Sequence, residues 1–303
     1  MELRTWQAGN PDSGPRVLIT GGVHGDEFES MAALSRLSGL LGERVVRGQV
    51  TLVPVVNEAA FRLGQRVADD GFDLARVCPG RPDGSITERV AHGLSRLIGA
   101  CDYYLDLHSG GARLRVYPLA GYLLHPDPAI LDHQRRMARA FGLPIIWGTD
   151  PSLNGRSLSV ARDARVPAIY AEYLGGGVCD PQGVAAYVRG CLNVLVDLQV
   201  IAGEIRLPDL EPLVIEDPRK DSGFLQIQHP SPLEGYFQPA VALGQRVRPG
   251  DVLGHVSDPF GPAVVPVQSD RAGFVLVLRA WARVAAGESL AVVMETDRTP
   301  PPW

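Results

Sequence analysis

The chain has no apolar run long enough to cross a membrane, no CxxC pair and no basic cluster. The first absence excludes a helical span, which takes about 20 consecutive apolar residues. The opening residues, MELRTWQAGN, also lack the apolar core of a signal peptide, so a cytoplasmic location is expected. Cys78, Cys101, Cys179 and Cys191 lie far apart. They read as free thiols of a reducing compartment, not as a disulfide frame or a zinc knuckle. Charged residues make up only 21% of the chain and sum to -5, with the basic ones scattered. That excludes the footprint of a nucleic-acid binder. What is present is a globular composition, 45% hydrophobic over 303 residues with 34 Gly and 25 Pro. It has room for one large domain and a smaller one.

The stretch Gly21-Gly22-Val23-His24-Gly25-Asp26-Glu27-Phe28-Glu29-Ser30 follows the apolar run Val17-Leu18-Ile19-Thr20. It precedes Met31, Leu34, Leu37, Leu40 and Leu41, spaced as on a helix from Ser30 to Leu41. His24 and Glu27 thus sit at a strand-to-helix turn, where an imidazole and a carboxylate three residues apart can face one first-row metal such as zinc. The same residues serve equally as a Gly-rich turn whose acids cap the next helix. A third ligand decides between them. Tyr103-Tyr104-Leu105-Asp106-Leu107-His108 is a buried-strand pattern ending in His, and the end of a parallel strand opens onto the crevice of an α/β sheet. Two His and a Glu leave a coordination position open for water, the arrangement of a catalytic zinc. Asp106 shares a strand face with His108 and is placed to orient its ring.

Strands are predicted at 16–20, 49–57, 103–108, 114–124, 144–147 and 166–173, and helices at 30–41, around Val90–Ile98 after a cap at Thr87, at 130–141, 157–165 and 181–198. This alternation predicts an α/β fold with a mostly parallel central sheet flanked by helices. Residues 58–85 form a long loop after a strand end, a position that favours function. After about Gly203 the chain turns to short strands between Gly and Pro turns. Gly235-Tyr236-Phe237 to Val247-Arg248-Pro249-Gly250-Asp251-Val252-Leu253 is echoed by Gly273-Phe274-Val275 to Val284-Ala285-Ala286-Gly287-Glu288-Ser289-Leu290. The pseudo-repeat resembles the barrel-sandwich fold of lipoyl and biotinyl domains. No Lys follows Lys220, which excludes a carrier role. The expected division is a zinc-dependent catalytic domain at 1–205 and a smaller C-terminal all-β, barrel-sandwich-like domain at 206–303.

A metal-activated water needs a base, and the attacked carbonyl needs polarising. Glu172 closes the apolar strand Tyr170-Ala171 before Leu174-Gly175-Gly176-Gly177. Partial burial there raises its proton affinity and suits a general base. Arg66 and Arg76 are candidates for stabilising an oxyanion and gripping a carboxylate. Arg62 and Arg81 qualify equally on spacing.

His24-Gly25-Asp26-Glu27, Asn57 with Arg66, Asp73-Leu74-Ala75-Arg76, Pro79-Gly80, His108 and Glu172, in this order, resemble the succinylglutamate desuccinylase/aspartoacylase family of the zinc carboxypeptidase clan. The likeness covers roughly residues 15–200 and extends to the β appendage. It implies one zinc per chain on His24, Glu27 and His108, Glu172 as base and proton shuttle, and Arg66 polarising the scissile carbonyl. It also implies Arg76 on a substrate carboxylate, with Asn57 and Asp73 in the same substrate-binding group. Family members usually carry Asn where this chain has Ala75, which weakens or rearranges that grip. The activity implied is zinc-dependent hydrolysis of the amide of an N-acyl amino acid or related small N-acyl amine, with self-association left open and neither nucleic acid nor membrane as partner. The appendage is expected to narrow the entrance, its Asp258-Pro259-Phe260-Gly261 turn lining it. A metallocarboxypeptidase acting on short peptides and a non-catalytic small-molecule binding protein, favoured only by Ala75, are the competing readings.

Overall fold

The computed structural model describes residues 2–303. In chain order its first part runs β1 (Trp6–Gly9), β2 (Arg16–Thr20), α1 (Phe28–Leu41), β3 (Gln49–Val53), α2 (Glu58–Leu63), α3 (Leu74–Val77), α4 (Ile86–Gly99) and β4 (Tyr103–His108). There follow β5 (Leu114–Leu123), α5 (Pro128–Phe141), β6 (Ile145–Thr149), α6 (Ser157–Asp163), β7 (Ala168–Gly175) and α7 (Pro181–Asp197). The central strands β3-β2-β4-β7 are parallel, and the antiparallel pairings lie on the flanks, β1 on β3 and β5 on β7. Strand β2 shows why both faces are covered. Val17 and Ile19 pack with α1, α5 and α7, whereas Leu18 packs with Val90, Leu94 and Leu158 of α4 and α6, the two-sided burial a parallel sheet requires.

Several boundaries differ from the sequence reading for local reasons. Strand β3 stops at Val53 because Pro54 has no N–H to donate. Helix α4 is capped by Ser85, paired with Glu88 in a reciprocal capping box. Thr87 instead donates through its backbone and hydroxyl to Asp70, at 2.9 and 2.8 Å, tying the preceding loop down. That loop is not structureless, since it holds α2 and α3. In β5 the register slips by one residue between Val116 and Leu119, a bulge around Pro118, which cannot donate to the ladder.

The remaining strands are β8 (Leu213–Glu216), β9 (Gly235–Pro239), β10 (Arg246–Val247), β11 (Val252–Ser257), β12 (Val264–Gln268), β13 (Gly273–Arg279), β14 (Arg283–Val284) and β15 (Ala291–Met294). Four of them form a separate sheet, β12-β11-β9-β14. The two sequence repeats exchange their short strands. Arg246 and Val247 pair with Phe274 and Gly273, while Arg283 and Val284 pair with Tyr236 and Gly235. Phe237, Leu253, Val256, Val275, Leu290 and Val293 fill the core between the two halves. Strand β13 also pairs with β5, and β8 with β6, so this segment extends the main sheet.

Candidate metal centre and active site

The loop after β2 is pressed onto α2. A Cβ on Gly25 would lie 2.1 Å from the backbone carbon of Ala60 and 2.2 Å from the nitrogen of Phe61. Only glycine permits this approach, which turns His24 and Glu27 inward, where they are 3% and 1% exposed. His108 arrives from the end of β4. His24 Nδ1 lies 2.6 Å from Glu27 Oε1 and His108 Nδ1 lies 2.9 Å from Glu27 Oε2. All three donor groups lie within 4.8 Å of one another. The other nitrogen of each ring faces a carboxylate: His24 Nε2 is 3.1 Å from Asp73 Oδ1 and His108 Nε2 is 3.1 Å from Asp106 Oδ2. In both rings Nδ1 thus faces Glu27 and Nε2 faces an outer acid. Imidazoles oriented in this way by outer carboxylates, together with one buried carboxylate, fit a divalent metal.

Asp106 is fully buried yet stays ionised. Burial pushes it upward, but the charge and hydrogen bond of His108 and the hydroxyls of Ser157 and Thr20 outweigh that and hold it low. Glu27 is low for a similar reason, the two histidines overcoming its burial. For His108 the sign reverses. Burial opposes its charged form, but Asp106 and Glu27 hold it well above the ordinary imidazole range. The Tyr187 hydroxyl of α7 donates to the His108 carbonyl and braces the strand end.

Glu172 lies directly across from His108 in the β4–β7 register. Burial raises its carboxyl to about 8, with Glu27 and Asp106 adding to the rise and His108 and Arg66 opposing it. Its Oε2 is buried without a hydrogen-bond partner. His24, Glu27, His108, Glu172, Arg66 and Arg76 all border one cavity of about 100 Å³. Arg66 donates to Asp73 Oδ2 at 3.0 and 3.2 Å, and its Nη1 reaches within 3.7 Å of Glu27 Oε1.

Two residues grouped with the substrate sit elsewhere. Asn57 does not border the cavity: its Oδ1 accepts from Ala60 N at 3.2 Å as the cap of α2, the helix that backs the His24 loop. Asp73 spends Oδ1 on His24 and Ala75 N and Oδ2 on Arg66, so it positions both groups. The Asp258–Gly261 turn does not line this cavity, and its Phe260 is 96% exposed. The appendage side of the cavity is formed instead by Gly223, Leu225 and Gln226.

Residues 13–198 match the succinylglutamate desuccinylase/aspartoacylase catalytic domain. The N-alpha-acetyl-L-2,4-diaminobutyric acid deacetylase of Halomonas elongata is 37% identical over 292 residues, 93% of this chain and 82% of that protein. The chain belongs to the succinylglutamate desuccinylase/aspartoacylase family. Among solved structures, the product-bound ectoine utilization protein EutE (DoeB) of Ruegeria pomeroyi superposes with a TM-score of 0.85 at 31% identity, covering 94% of this chain and 86% of that one. A succinylglutamate desuccinylase of Silicibacter sp. TM1040 has the same TM-score at 27% identity, covering 95% and 87%.

Within this family fold, one charged cavity residue escaped the sequence reading. Arg156 borders the cavity, with its guanidinium 4.7 Å from the Phe224 ring and that of Arg76 5.8 Å from the same ring. Burial lowers the pKa of both, and each is lowered further by a neighbouring guanidinium, Arg76 for Arg156 and Arg66 for Arg76. The loop before α6 is fastened to α3 through Gly155, whose carbonyl accepts from Cys78 N at 3.0 Å. A Cβ there would meet the Arg76 carbonyl oxygen at 2.5 Å. The glycine beside Arg156, following a strand end, was the available signal.

Proposed function

We propose that the chain is a zinc-dependent deacylase that hydrolyses the amide bond of an N-acyl amino acid. The observation that carries this reading is the buried, unpartnered Glu172 Oε2 facing the same small cavity as the three converging donors His24, Glu27 and His108. Those three residues would hold one zinc per chain, whose Lewis acidity supplies activation of water and polarisation of the carbonyl.

Glu172 then takes the proton of the attacking water and returns it to the nitrogen of the departing amine, a task suited to a carboxyl whose proton affinity burial has raised toward neutrality. The Arg66 guanidinium, held by Asp73, faces the oxygen on which negative charge develops. Arg76 and Arg156, flanking Phe224, present two guanidinium forks to the substrate carboxylate, so that Arg156 takes up the grip Ala75 cannot supply. The names of the relatives support N-acetyl or N-succinyl amino acids as the class. No helix among the described residues is long and apolar enough to cross a membrane, and we place the enzyme in the cytoplasm.

The test is mass spectrometry of products from zinc-loaded protein given N-acetyl, N-succinyl and N-formyl amino acids, acylated diamines and short peptides. Release of a free amine from an acylated amino acid is expected, with Glu172→Gln losing about 10²–10⁴ in turnover while retaining zinc. Trimming of peptide C-termini would move the protein to the carboxypeptidases. Unchanged turnover in Glu172→Gln would sink the assignment of the base.

A further inference from the structure

On the face of the sheet opposite α4 and α6, helices α1 and α7 and the chain after α7 enclose a groove of about 530 Å³. Arg36, Arg44, Arg189 and Arg206 border it, against the single acid Glu204. In a chain of net charge -5, that is a local excess of positive charge. No carboxylate of the described residues pairs with these four; Asp197, the acid at the end of α7, is taken by Arg136 at 2.8 Å. Two of the arginines stand out, one for an unmet donor and one for an anchored backbone. Arg189 Nε is buried with no hydrogen-bond partner, a donor that lacks an acceptor unless a ligand brings one. Arg206 is pinned to α7 through its backbone, its N–H donating to the buried Asn193 Oδ1 at 2.9 Å and its carbonyl accepting from Nδ2 at 3.0 Å. The floor is apolar, from Val188, Leu192 and Val196.

We propose that this groove binds a small multivalent anion, a compact molecule carrying two or more carboxylate or phosphate groups on an apolar frame. Four guanidiniums around one groove offer forked donors of the kind both groups accept, and the volume is that of a small-molecule site. The groove shares no residue with the cavity around His108, so this site stands independently of the deacylase reading.

The test is calorimetric titration of the zinc-loaded full chain with tricarballylate and, separately, fructose 1,6-bisphosphate, which distinguish a polycarboxylate site from a phosphate site. One anion is expected to bind per chain, more weakly as salt rises. An Arg36→Gln/Arg189→Gln double variant should lose at least tenfold in affinity while its melting temperature and deacylase turnover stay unchanged, and Arg156→Gln should bind as the parent does. Arg189→Lys, which keeps the charge and loses the fork, should fall between. No binding of either anion overturns the proposal. So does binding lost in Arg156→Gln and retained in the double variant, which would assign the anion to the substrate cavity. A double variant that changes sedimentation but not anion affinity would make the face a protein contact instead.

Discussion

At the scale of single residues, the burial behind the proposed base role of Glu172 acts against stability. Its folded-state pKa, raised by burial to about 8 from 4.5, makes the metal-free native protein bind a proton that the unfolded chain releases. Below about pH 4.5 both states are protonated and the residue is neutral to stability. As pH rises from there to about 8 the unfolded state ionises first, so stability falls, and above 8 the loss is complete. At about 1.4 kcal/mol per pKa unit the full effect is of order a few kcal/mol. Metal-free Glu172→Gln is therefore expected to melt higher than the parent at pH 8.5, with the difference shrinking toward pH 4.5; parallel melting curves across that range would refute the buried, protonated carboxyl. Arg156 gives the complementary test. Losing one charge-assisted contact worth about 1.5–3 kcal/mol, Arg156→Ala is expected to raise KM for a carboxylate-bearing substrate by roughly tenfold to a hundredfold. A substrate analogue with the carboxylate amidated should lose this sensitivity.

At the scale of elements, the metal loop is shaped by the helix behind it. Gly25 lies against α2 backbone, and Asn57 caps that helix. Gly25→Ala forces backbone against backbone, which no side-chain movement relieves, so it is expected to weaken zinc binding at least tenfold without unfolding the sheet. Asn57→Ala should cost about 1 kcal/mol as a lost cap, whereas Asn57→Asp keeps the accepting oxygen and most of the stability. Equal KM values in Asn57→Asp and parent would separate a cap from a substrate contact. This pair also shows what the sequence could convey. That His24, Glu27, His108 and Glu172 meet at one cavity was legible because each closes or follows an apolar run at a strand end, a pattern visible in one dimension. The work of Asn57 and Asp73 was not, because a short polar residue before a helix reads alike whether it caps, orients or binds. Arg156 was hidden for another reason: its place depends on Gly155 packing the loop before α6 onto α3, an approach between segments some 80 residues apart.

At the scale of the molecule, the change of character after Gly203 marked a second fold unit, and the exchange of short strands between its repeats follows from their matched motifs. Strand pairing across to the first part carries no such signal, since β13 reads as one more apolar strand whichever edge it joins. Yet Val277, Leu278 and Arg279 pair with Val116, Arg115 and Leu114, and Phe274, Leu276, Val292 and Met294 share a core with Leu119, Ile145 and Trp147. Gly223, Leu225 and Gln226 then close the cavity around His108 from the same side. A chain ended at residue 205 would expose that apolar surface and the free edge of β5, an invitation to aggregation. Residues 1–205 alone are therefore expected to be insoluble, or soluble without fixed near-ultraviolet circular dichroism. A well-folded, zinc-binding fragment would show instead that the shared sheet is dispensable and that the appendage serves only to shape the entrance.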